Sequence, residues 1–160
     1  MKIRAVAFAL ACGLTLCIQQ TAAQHGREHI MLDPSELVWN DFPSLPGVKI
    51  ALIEGRLDQP VPIMFRLKFP AKFKVPSYWH SGIEHMTVIS GTLHLGVGSD
   101  TDLSQTRTLG PGSISIMQPQ SPHFMWTNEE TVVQVTAPGR GPCITWPMEG
   151  RRITRNEAVW

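Results

Sequence analysis

Charge is scarce in this sequence. Only 17% of its 160 residues are charged, and 14 Lys and Arg nearly cancel 13 Asp and Glu for a formal net charge of +1. The usual share is about a quarter. With no basic run and no strong net charge, the chain lacks the electrostatic footprint of a nucleic-acid partner. Long apolar runs are missing as well. The most apolar stretch, Ala5 to Ile18, is shorter than the roughly 18 to 20 residues a membrane-spanning helix needs. Cysteine is limited to three residues, Cys12, Cys17 and Cys143, an odd number that gives no disulfide framework. Tyrosine occurs once, at Tyr78. There is no internal repeat, low-complexity tract or interdomain linker, so the length implies one compact domain. A domain of this size buries roughly two thirds of its unfolded surface and needs no disulfide to hold a core.

Glycine and proline, by contrast, are plentiful, with 13 of each. That load argues against a helical bundle or coiled coil and for many turns. At the N-terminus, Lys2 and Arg4 precede the apolar stretch, and the small residues Thr21, Ala22 and Ala23 follow it. This is the three-part pattern of a secretory signal peptide over 1–23, with cleavage expected after Ala23. Leu16 before Cys17 does not make a lipoprotein site, and Ala11 before Cys12 comes too early. The mature protein is expected to be exported, to the periplasm or beyond the cell, with no membrane attachment after cleavage. Loss of Lys2 and Arg4 turns the net charge to −1, and loss of Cys12 and Cys17 leaves Cys143 alone, read as a small buried hydrophobe beside Pro142 and Ile144.

Residues 24–47 read as an irregular arm, because Pro34, Pro43 and Pro46 break any longer helix. From Val48 the pattern changes to period two. Ile63, Phe65, Leu67 and Phe69 fall on one face, with Met64, Arg66 and Lys68 on the other, the mark of a half-buried strand. Further strands are expected over 48–53, 73–79, 85–90, 92–97, 113–117, 123–127, 131–136 and 144–146. Gly55, Pro70, Gly91, Pro111-Gly112 and Pro119 punctuate them. Regularly spaced short strands with such turns predict an all-β sandwich or barrel over 48–147, followed by a polar tail over 148–160.

Histidines concentrate in two segments of this barrel. In the first, a strand ends at His80, a turn with Gly82 follows, and Glu84-His85 opens the next strand. The second runs from Gly112 to His123. Two imidazoles and a carboxylate on a rigid β scaffold make a three-ligand set with open positions, suited to iron, manganese, nickel or zinc. Strand parity sends adjacent side chains to opposite faces, so Glu84 and His85 are alternatives as the third ligand unless a bulge intervenes.

At these residues the chain resembles the cupin superfamily. His80, then Glu84 after three intervening residues and Gly91 after six more, fit the family's first motif, while Gly112 and His123 match the ends of its second. The resemblance spans about residues 48–137. It implies an antiparallel double-stranded β-helix, or jelly-roll barrel, and a divalent metal held by His80, Glu84 and His123, with His85 as the alternative to Glu84. It also implies dimers and small-molecule ligands, and a range of activities including dioxygenases, isomerases, lyases and decarboxylases. This chain departs from the family at Tyr78, where a first histidine is expected, at Gln118 and Gln120, which replace Pro and Gly, and at Thr127, which replaces Asn. Tyr78 is the candidate acid or orienting group. Phe65, Met125 and Trp126 are expected to set the pocket volume, Arg66 to point outward, and His94 to have no ligand role.

The segment His25-Gly26-Arg27-Glu28-His29 matches the H-x-x-E-H pattern of inverted zinc proteases. That pattern works only on a stable helix, and Gly26 with no apolar face behind it makes a solvated terminus the better reading. The resulting expectation is an exported metal-binding cupin that acts on or binds a small oxygen-rich molecule. The alternatives are a noncatalytic metal or ligand-binding module, and a dimer-forming structural cupin with a vestigial site.

Overall fold

The structure is a computed structural model that describes residues 29–138. The expected signal sequence, Cys143, the strand expected at 144–146, the expected polar tail and most of the H-x-x-E-H segment lie outside the described residues. Two units divide the chain, one ending at Met31 and one beginning at Leu32; every strand belongs to the second.

The strands are β1 (Asn40–Asp41), β2 (Lys49–Glu54), β3 (Ile63–Phe69), β4 (Lys74–Tyr78), β5 (Glu84–Ser90), β6 (Leu93–Val97), β7 (Arg107–Leu109), β8 (Ile114–Met117), β9 (His123–Thr127) and β10 (Thr131–Ala137). Each strand expected between residues 48 and 136 is present, with ends shifted by at most one residue. The structure adds β1 and β7, which are too short and polar to show a period-two pattern. Single-turn 3₁₀ helices occur at Pro34–Glu36 and Leu103–Gln105, each capped by the aspartate before it. Among the described residues no helix is long and apolar enough to cross a membrane.

All pairings are antiparallel and build a six-stranded sheet, β1-β2-β3-β10-β5-β8, and a four-stranded sheet, β4-β9-β6-β7. This is the jelly-roll that the family resemblance implies, and it falls within the all-β sandwich or barrel expected from the turn spacing. At its centre, β3 and β10 pair along their whole lengths, from Thr131 opposite Phe69 to Ala137 opposite Ile63. Both alternate buried and half-buried residues without a break, so a one-residue slip would turn the core face outward. One apolar cluster fills the space between the sheets, with Phe65, Val88 and Val135 from the larger and Val75, Leu95 and Met125 from the smaller.

Two local devices position the later chemistry. Pro76 lies in β4, an edge strand, where a missing N–H is tolerated. Beside it β4 carries a bulge: Val75 faces Met125 and Tyr78 faces His123, so three steps on β4 span two on β9. The extra residue shifts the inward face from odd to even positions, which turns Tyr78, and His80 after it, toward the interior. On the other side of β9, Phe124 is fully buried against Gly96, where a Cβ would overlap its ring.

Gly96→Ala should therefore lower stability by about 1–3 kcal/mol. Gly110→Ala adds a methyl to open space and should change it by less than about 0.5 kcal/mol. Urea unfolding of the two variants beside the parent at neutral pH checks this difference.

Candidate metal centre

Three ionisable side chains come together at one end of the apolar core. His80 lies just after β4, Glu84 opens β5, and His123 opens β9. They are 2%, 4% and 0% exposed, burial that charged or imidazole groups rarely reach without partners. One potential ligand atom from each lies within 4.8 Å of the others.

Hydrogen bonding orients these donors. His123 Nδ1 is 2.9 Å from the Ser121 carbonyl. A carbonyl only accepts, so Nδ1 carries the proton and Nε2 keeps its lone pair for the cluster. The His80 carbonyl accepts from the Gln120 N–H at 2.7 Å, which ties the loop before β9 to the segment that carries His80. Gln120 adopts φ 59°, a left-handed conformation that glycine enters more readily. Burial pushes the His123 imidazole below its ordinary value, against the Ser121 carbonyl and the Glu84 charge, which raise it.

At the centre, the donor atoms face one another without bonding. His80 Nε2 is 3.0 Å from Glu84 Oε2, yet neither His80 nitrogen has a partner in hydrogen-bond geometry, and the same holds for Glu84 Oε1 and His123 Nε2. Each such buried polar atom costs about 1–3 kcal/mol when left unsatisfied. One donor from each residue, three in all, fits a shared cation, and two imidazoles with one carboxylate are the donor set for iron(II), manganese, nickel or zinc.

Tyr78 completes the group. Its ring is 4.3 Å from that of His123 and 5.0 Å, edge-on, from that of His80. Burial first, and the charge of Glu84 second, raise its phenol well above the ordinary range, so it keeps its proton. A cavity of about 30 Å³ extends from Tyr78, His80 and Glu84 between walls of Phe42, Leu45, Phe65, Leu67, Phe69, Val75, Met86, Met125 and Val135.

His80, Glu84, His123 and Tyr78 thus converge as the sequence suggests. His85 does not. It is exposed on the opposite face of β5, opposite Ile116, because strand alternation sends it outward once Glu84 faces in. Trp126 is corrected too: it alternates away from the cavity and stacks on His94 at 3.8 Å, while Phe65 and Met125 do line the cavity. His94 accordingly takes no part in the cluster, its Nδ1 lying 3.1 Å from the Thr108 hydroxyl. Arg66 faces away from the core and donates to Gln134. Phe42 and Leu45, which close the cavity, went unnoticed in the sequence. Phe42, Leu45 and Val48 recur every third residue around the turn residues Pro43, Pro46 and Gly47, which is the signal for them.

No family model and no curated protein sequence matches this chain. Solved structures do. A RmlC-like cupin from Shewanella frigidimarina NCIMB 400 superposes with a TM-score of 0.56 at 15% identity, covering 71% of this chain and 94% of its own. KdgF from Halomonas sp. gives 0.53 at 17% identity, covering 66% and 92%. The polyketide cyclase RemF from Streptomyces resistomycificus gives 0.55 at 16%, covering 69% and 80%. The fold is that of the cupin superfamily. On this fold the chain carries a His-Glu-His group that could hold a metal ion.

The depressed His123 pKa makes stability depend on pH. An unfolded imidazole takes its proton near pH 6.5, the folded one only at lower pH. Stability is therefore fully present above about pH 6.5 and is lost as pH falls through the folded value. The urea midpoint of metal-free protein should drop between pH 7 and 5.5, and His123→Gln should flatten that slope.

Proposed function

We propose that the chain is an exported cupin that holds one divalent metal ion between His80, Glu84 and His123 and binds a small oxygen-bearing molecule beside it. The observation that carries this reading is the convergence of buried, unbonded donor atoms, with His123 Nε2 freed by the bond from Nδ1 to Ser121. A metal bound there supplies Lewis-acid polarisation of the ligand's oxygen. The protein's own part is to orient the donors, to exclude water with apolar walls, and to present the protonated Tyr78 phenol as a hydrogen donor.

A noncatalytic carrier is the second reading. It is favoured by the scarcity of proton-transfer groups, since among the described cavity residues only Tyr78 carries an ionisable group without being a proposed ligand. Tyr78→Phe separates the two: an enzyme keeps its metal and loses turnover, whereas a carrier has no turnover to lose and keeps its metal.

Protein purified without a histidine tag should hold about one equivalent of a transition metal after reconstitution. Less than about a tenth of an equivalent would remove the metal site. Glu84→Gln should weaken metal affinity by at least about tenfold and His85→Gln should leave it unchanged; an unaffected Glu84→Gln would mean another ligand. Export rests on the charged, apolar and small-residue segments of 1–23. The mass of the secreted form should correspond to a chain beginning near Gln24, and retention of the intact chain in the cytoplasm would contradict it.

A further inference from the structure

The geometry points to a short-chain aliphatic monocarboxylate as the ligand of this cavity, with its carboxylate toward His80 and Glu84 and its carbon tail toward Phe42, Leu45 and Met125. The inference rests on the metal-centre reading and adds the ligand class. Polarity in the cavity is confined to one end, at Tyr78, His80 and Glu84, and every other lining residue is apolar. A tail hydroxyl or second carboxylate would meet walls that offer no hydrogen bond, at a cost of roughly 1–3 kcal/mol.

Charge sets the head group. A divalent ion with one carboxylate and two neutral imidazoles leaves a single positive charge in a buried site, and a monoanion neutralises it. No Lys or Arg lines the cavity, so a dianion would leave one negative charge unpaired. Size sets the tail. About 30 Å³ holds roughly two water-sized groups, the room of a tail of about two carbons.

Leu45 sets the tail limit. It sits in the turn after β1, where Phe42 N–H donates to Val48 O, Leu45 N–H to Phe42 O and Val48 N–H to Leu45 O, each at 2.9 Å. Leu45 is only partly buried, so it can be trimmed without opening the main core.

Isothermal calorimetry on protein carrying one measured equivalent of metal tests this with formate, acetate, propionate, hexanoate, succinate and gluconate. Affinity should rise from formate to propionate, by up to about fourfold per added carbon, and fall for hexanoate. Succinate and gluconate should bind at least about tenfold more weakly than propionate. Leu45→Ala should move the optimum to a longer tail, and Leu45→Phe should move it toward formate. A metal-loaded protein with a flat series, with no shift in either variant, or with tighter binding of succinate or gluconate would overturn the ligand class alone. Failure to load any metal would overturn the metal-centre reading, and the ligand class with it.

Discussion

Burying a carboxylate against two imidazoles constrains the rest of this molecule. Glu84, His80 and His123 sit at the end of an apolar core with almost no access to water. Such a grouping persists only if the surrounding backbone fixes it and the donor atoms share a partner. The fixing is visible. His123 is held through Ser121, the His80 carbonyl is held through Gln120, and Glu84 stands at the first paired position of β5, opposite Met117. The backbone conformation of Gln120 is the local strain that accompanies this arrangement.

The apolar walls matter as much as the ligands. A low-polarity enclosure strengthens every electrostatic interaction inside it, so one charged head group would be enough to orient the proposed ligand. The same enclosure keeps the Tyr78 phenol protonated and His123 neutral, two states that suit a hydrogen donor and a metal ligand. Phe42 and Leu45 close the enclosure from outside the main strands, and their turn is tied down by its own backbone bonds. On the proposed reading, ligand choice is separated from metal holding, the first resting on the turn after β1 and the second on strand ends.

Much of this was legible in the chain. The alternation of Ile63, Phe65, Leu67 and Phe69 with polar neighbours predicts β3 to the residue, because burial of one face of a strand is a local, period-two property. The glycine and proline punctuation predicts an all-β sandwich or barrel, and the resemblance carried by His80, Glu84, Gly91, Gly112 and His123 implies the jelly-roll and the cluster. Trp126 was misread because a run of large apolar residues at 124–126 does not reveal which of them face the cavity. Phe42 and Leu45 were passed over because prolines mark a segment as irregular without showing whether its apolar residues pack on the core.

What the sequence by itself determined is the strand inventory, the turns and the residue types available for a metal. The tertiary structure alone decided which side chains meet. Parity counted along β4 from Val75 would put His80 outside the barrel; the bulge against β9 reverses it, and a bulge is a property of pairing between strands far apart in the chain. The choice of Glu84 over His85 has the same origin. It depends on which face of β5 meets the other sheet, and that is settled by the pairing of β5 with β10 and β8, where Met86 and Val88 must be buried along with Glu84.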